Sequence, residues 1–123
     1  MNVNVGDSFS WTKTFSREEI LAFAELTGDT GFHHTRTEKV MAHGLLVASL
    51  PTKLGGDLNF IASDMHFNFL HAVFEGDTVT CSGTVKKSLR QKSRTKLEFE
   101  FVCTNQDGLN VMRGSSKGFI PSG

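Results

Sequence analysis

From Val40 to Leu54 the chain carries Leu45, Leu46, Val47, Ala48 and Leu50, with almost no polar face among them. A helix that is apolar on nearly every side has to be buried on nearly every side. In a chain of 123 residues the economical way to do so is to wrap a curved sheet around it. Pro51 removes a backbone donor and clashes with the preceding turn. A kink or an early end near Leu50 is therefore expected, with Gly55-Gly56 closing the element.

The rest of the sequence supplies the sheet. Phe9 and Trp11 alternate with Ser8, Ser10 and Thr12, which predicts a first strand ending near Phe15. Ser16-Arg17-Glu18-Glu19 reads as a capping box, in which the Ser16 hydroxyl accepts from the Glu19 N–H and Glu19 reaches back. Ile20, Phe23, Ala24 and Thr27 then repeat at helical spacing, and Gly28 supplies a left-handed stop. Residues 28–38 are polar and irregular and read as a loop. Leu58 to Val73 is rich in Phe and Ile, and Glu75-Gly76-Asp77 makes a turn.

Val79, Cys81, Gly83 and Val85 alternate with hydroxyl residues, and Leu97, Phe99, Phe101 and Cys103 alternate after them. Asn105-Gln106-Asp107-Gly108 is a hairpin turn, followed by a last strand from Val111 to Ile120. Consecutive strands joined by hairpins give an antiparallel sheet. The expected class is α+β, one domain over residues 1–123, with a sheet edge or open face that invites a second copy.

Acidic and basic side chains balance at 13 each, so no global field points to nucleic acid or to a membrane surface. No apolar run approaches membrane-spanning length, and Met1-Asn2-Val3-Asn4-Val5-Gly6-Asp7 lacks the features of a signal peptide. A cytoplasmic location is the expectation. Cys81 and Cys103 fall in apolar alternation and read as reduced core thiols. The cations Lys86, Lys87, Arg90, Lys92, Arg94 and Lys96 run along a hairpin with Glu98 and Glu100 directly behind them, the pattern of a solvated face.

The chemistry-bearing stretch is Gly28-Asp29-Thr30-Gly31-Phe32-His33-His34, followed by Ala42-His43-Gly44-Leu45. Asp29 and His34 stand five residues apart just past one helix and just before another. Asp29 alone suits an ordinary turn. Asp29, His33, His34 and His43 also offer metal donors, but a chelating His-x-x-x-His spacing is absent, and no metal is expected. His43 reads as a helix-start residue in the local hydrogen-bond network. Ser49 either lines the central cavity or bonds back to the preceding turn.

This segment resembles the MaoC-like, (R)-specific enoyl-CoA hydratase branch of the hot-dog fold, whose signature runs Gly-Asp-x-Asn-Pro-x-His and then (Ala)-His-Gly-(Met/Leu). Val5-Gly6-Asp7 and the run Phe69-Leu70-His71-Ala72-Val73-Phe74-Glu75-Gly76-Asp77 resemble other parts of that family in the same order. Gly31 and Phe32 stand where the family has Asn and Pro, Ala72 replaces another Pro, and the run from His34 to Gly44 is several residues shorter. That run normally forms part of an overhang covering the acyl site.

The resemblance implies a hot-dog fold and reversible hydration of 2-enoyl thioesters, with no cofactor. It assigns Asp29 and His34 as the acid–base pair. The Gly44 N–H, in the first turn of the central helix, becomes the donor to the thioester oxygen. His43, Ser49, Arg36 and Lys39 are the candidate substrate contacts. Arg36, Lys39 or the hairpin cations are suited to the phosphates of coenzyme A. The implied partners are acyl-CoA or an acyl carrier protein thioester, and a homodimer or dimer of dimers. Two alternatives stand beside it: an acyl-CoA thioesterase of the same fold, and a non-catalytic acyl-CoA-binding subunit.

Overall fold

A computed structural model describes residues 3–122 of the chain; Met1, Asn2 and Gly123, and with them the ends of the expected domain and the start of the N-terminal reading, lie outside the described residues. The elements run β1 (Ser8–Thr14), α1 (Arg17–Thr27), α2 (Phe32–Thr35), α3 (Gly44–Ala48), α4 (Leu50–Asp57), β2 (Ile61–Phe69), β3 (Thr78–Arg90), β4 (Arg94–Thr104) and β5 (Asn110–Pro121). The strands form one antiparallel sheet in the order β1-β3-β4-β5-β2. α3 and α4 lie on its inner face, giving the hot-dog arrangement that the resemblance implies.

Alternation decides which side of each strand faces the helices. Val79, Cys81 and Val85 of β3 and Leu97, Phe99, Phe101 and Cys103 of β4 are buried with Val47, Leu50 and Leu54 of the helices. On the outer face, Thr12 and Thr14 of β1 pair their hydroxyls with Thr80 and Thr78. Cys81 and Cys103 sit opposite each other in register, both fully buried and free. Their mutual hydrogen bond, together with burial, pushes the Cys103 thiol far up, so it stays protonated. The hairpin cations meet acids on the outer face: Lys86 with Glu100, and Lys87 with Glu98, which also pairs with Lys117.

Four expectations need correction. β2 does not pair with the next strand in sequence; it lies beside β5 at the far edge, and residues 70–77 carry the chain back across to β3. The central helix begins at Gly44 rather than Val40, because residues up to Ala42 pair with that crossover. Gly55 and Gly56 lie within it, since α4 runs on to Asp57. Its apolar residues are also not all buried: Leu45 is 69% exposed. The expected break occurs at Ser49, which ends α3 and precedes α4, and Pro51 sits in the first turn of α4 where its missing N–H has no intrahelical partner to lose. Trp11 Nε1–H donates to the Leu50 carbonyl at the junction, 3.2 Å away.

α1 forms as expected. Ser16 and Glu19 exchange both capping-box bonds, and Gly28 ends the helix at φ 81°, with its N–H on the Ala24 carbonyl. Ile20 and Ala24 are buried, whereas Thr27 is exposed and its hydroxyl bonds back to the Phe23 carbonyl. Replacing Ser16 with Ala should lower the unfolding free energy by about 1 kcal/mol, the usual value of such a cap, as read from denaturant melts.

Candidate active site

The loop after α1 is not wholly irregular. Phe32–Thr35 forms one turn of helix, which turns the buried His34 inward while Phe32 and His33 stay exposed. Thr35 anchors this turn by donating to the carbonyls of Thr30 and Gly31. His34 Nδ1 lies 2.6 Å from the Met41 carbonyl. A carbonyl only accepts, so Nδ1 carries the hydrogen and Nε2 is left with its lone pair in the neutral ring.

Nε2 in turn lies 3.8 Å from Asp29 Oδ2. That separation is too long for a direct hydrogen bond and suits a small group held between the two. The other oxygen of Asp29 makes the turn that was the plainer reading of this residue, accepting from the Gly31 N–H at 3.3 Å. Gly31 is tightly enclosed there: a Cβ would come within 3.1 Å of the His33 ring and 3.4 Å of Asp29 Oδ1.

His43 occupies the position before α3, as a helix-start residue, and is 3% exposed. Its Nε2–H donates to the Asp29 backbone carbonyl at 2.9 Å. The His34 and His43 rings stack at 3.7 Å with 14° between planes, and Phe23 packs edgewise on His43 at 4.9 Å. Asp29, His34 and His43 each bring a donor atom within 4.8 Å of the others. In-plane lone pairs of two parallel rings do not converge on one ion at about 2.0–2.1 Å, so this arrangement does not fit a shared metal.

Gly44 opens α3, where an N–H has no intrahelical acceptor. The Phe69 ring covers it so closely that a Cβ at Gly44 would stand 3.2 Å from the ring carbons. His33, His34, Gly44, Val47, Phe69 and His71 line one groove of about 440 Å³ at this point. Asp29 does not line it, and its side chain is 57% exposed. Ser49 is not brought to the site: it is exposed and its hydroxyl donates to the Leu46 carbonyl. Arg36 and Lys39 are exposed on the loop and do not line the groove.

Several contributors were not anticipated. The Met41 carbonyl sets the His34 tautomer, and as a main-chain group it leaves no mark in the sequence. Phe69 reads from the sequence as part of a strand and of the family-like run, with no site role. Glu75 reads as part of a turn and of the same run, yet its Oε1 accepts from both the Val40 N–H and Arg17, at 3.0 and 2.8 Å. The crossover is bound to the loop before α3 by further backbone bonds, Ala42 N–H to the Val73 carbonyl and Glu75 N–H to the Val40 carbonyl. The hairpin cations Lys87, Arg94 and Lys96 line, with Lys117, a separate open groove of about 530 Å³.

An antiparallel sheet curled on a central helix defines a hot-dog domain. The chain belongs to the thioesterase superfamily, whose family model matches residues 32–109. The solved structures it resembles include the (R)-hydratase from A. caviae involved in PHA biosynthesis, with 28% identity, a TM-score of 0.86, and 97% of this chain and 98% of that one covered. The unliganded R-hydratase PhaJ1 from Pseudomonas aeruginosa is 20% identical, with a TM-score of 0.87 and coverage of 98% and 84%. A hypothetical thioesterase protein with coenzyme A from Streptococcus pneumoniae is 17% identical, with a TM-score of 0.68 and coverage of 97% and 81%. No curated protein sequence matches significantly. No helix among the described residues is long and apolar enough to cross a membrane.

The Val40 N–H first, and the Arg17 guanidinium after it, hold the Glu75 carboxyl below the ordinary carboxylate range. A carboxyl lowered by folding contributes stability above its unfolded pKa, and that contribution is lost as pH falls through the folded value. Glu75→Gln should therefore lower the melting temperature at neutral pH, and the gap to the parent should narrow below about pH 4 in melts across pH.

Proposed function

We propose that this protein is an enzyme that adds water reversibly to 2-enoyl-CoA, or to the corresponding acyl carrier protein thioester, giving an (R)-3-hydroxyacyl thioester. The observation that carries this reading is the 3.8 Å gap between Asp29 Oδ2 and His34 Nε2, with the His34 tautomer fixed by Met41. The similarity to the (R)-hydratase from A. caviae along nearly the whole chain supports it.

A water held in the gap loses a proton to the pair as its oxygen bonds to C3 of the enoyl group. The C2=C3 electrons move toward the thioester, and negative charge gathers on its oxygen. Gly44 N–H donates to that oxygen, a contribution of roughly 3 kcal/mol to the barrier for one such donor. The proton then passes to C2, which closes the balance. The Asp29–His34 pair acts as one coupled unit, so neither step is assigned to one residue alone. His43 keeps Asp29 in place through its backbone carbonyl. Arg36, Lys39 and the hairpin cations remain candidates for the phosphates of coenzyme A.

Purified protein should consume crotonyl-CoA or a longer enoyl-CoA without releasing free thiol. Asp29→Asn and His34→Ala should each lower kcat by about 10²–10⁴. Full activity in both variants would sink the assignment. The thioesterase superfamily match favours a second reading, in which the same carboxylate directs water at the thioester carbon. Thiol release measured in parallel on an acyl-CoA panel separates the two, and saturable binding with neither product would favour a non-catalytic subunit.

We also propose that the working form is a homodimer or a dimer of dimers. Edge strand β2 exposes Ile61, Met65 and Phe69, and Leu45 is exposed on α3. An unpaired edge carrying apolar side chains is a template for another strand. Sedimentation should give a dimer mass or a multiple of it, and Met65→Lys should shift the protein toward monomer.

A further inference from the structure

The His34 imidazole has one hydrogen bond to hold it, from Nδ1–H to the Met41 carbonyl. The torsion that turns a histidine ring about its Cβ–Cγ bond has a broad minimum, so the plane of the ring depends on what packs against it. His43 stacks nearly parallel on one face, with ring centres 3.7 Å apart. Against what that stack leaves open lies His33, its ring centre 4.0 Å away and tilted by 54°.

His33 is exposed and lines the groove beside His34. The Gly-Asp-x-Asn-Pro-x-His pattern specifies no residue at its position. Its ring is held by shape. Phe32 meets it edge on at 6.4 Å and 88°, and Gly31 leaves the space beneath it, where a Cβ would stand 3.1 Å from His33 Cε1.

The main chain of His33 reaches the same imidazole by another route. Its carbonyl accepts from the Met41 N–H at 2.9 Å and from the Thr37 hydroxyl at 3.3 Å. Met41 is the residue whose own carbonyl fixes the His34 tautomer. One residue therefore anchors the partner of His34 through its backbone and confines the His34 ring with its side chain. Catalytic groups work only when such packing locks their rotamers.

We propose that His33 is a positioning residue, whose ring keeps the His34 imidazole in the plane that turns Nε2 toward Asp29. Its part in turnover rests on the hydration reading, whereas the clamp on the ring is measurable without any substrate. An exposed side chain that makes no buried contact contributes little to stability, so losing the clamp is separable from unfolding.

Nuclear magnetic resonance of the full chain, without substrate, follows the exchange of the His34 Nδ1 hydrogen with water. His33→Ala should speed that exchange about tenfold, because the ring leaves Met41 more often, while the melting temperature is kept. His33→Phe retains a flat ring of similar size and should exchange as the parent does. With crotonyl-CoA, His33→Ala should lower kcat about tenfold at unchanged KM, and His33→Phe should restore kcat.

Unchanged exchange in His33→Ala, exchange in His33→Phe as fast as in His33→Ala, or a raised KM with kcat kept would overturn the proposal. Faster exchange in His33→Ala, restored in His33→Phe, supports the clamp even in a protein that hydrates no enoyl-CoA; that outcome would sink the hydration reading alone.

Discussion

The bonds between the loop before α3 and the crossover from β2 to β3 hold the site together. Residues 40–42 and 73–75 meet through Ala42 N–H to Val73, Glu75 N–H to Val40, and a bridge between Met41 and Phe74. Polar backbone inside a protein has to be paired, and this pairing fixes Met41 so that its carbonyl faces His34. The tautomer of the imidazole is thus set by a loop that would otherwise be free to move. Glu75 closes the same junction from the side, tying it to Arg17 at the start of α1.

The strands, α1 and its caps were readable because their signals are local. Alternation, a capping box and a glycine at positive φ each act within a few residues. The pairing of β2 with β5 was not readable, because hairpin logic says nothing about a strand whose next connection crosses the sheet. The start of the central helix was misplaced for a related reason. Val40 and Ala42 have the composition of helix residues, but their backbone groups are taken by the crossover.

The acid, the imidazole and the glycine were readable as a set, since their order matched a family pattern. What surrounds them was less so. Ser49 reads as able either to line the cavity or to bond back to the preceding turn; in place it stands at the break between α3 and α4 with its hydroxyl on the Leu46 carbonyl. Gly31 looked like a loss relative to the family pattern. In place, it is where the loop turns back beneath the His33 ring, and a side chain there would press on that ring at 3.1 Å.

Phe69 ends the edge strand and its ring lies against Gly44. The last residue of the edge strand thus reaches the groove. One side chain both ends β2 and closes over the first turn of the central helix, so a change in the position of that strand end is a change in the cover of Gly44.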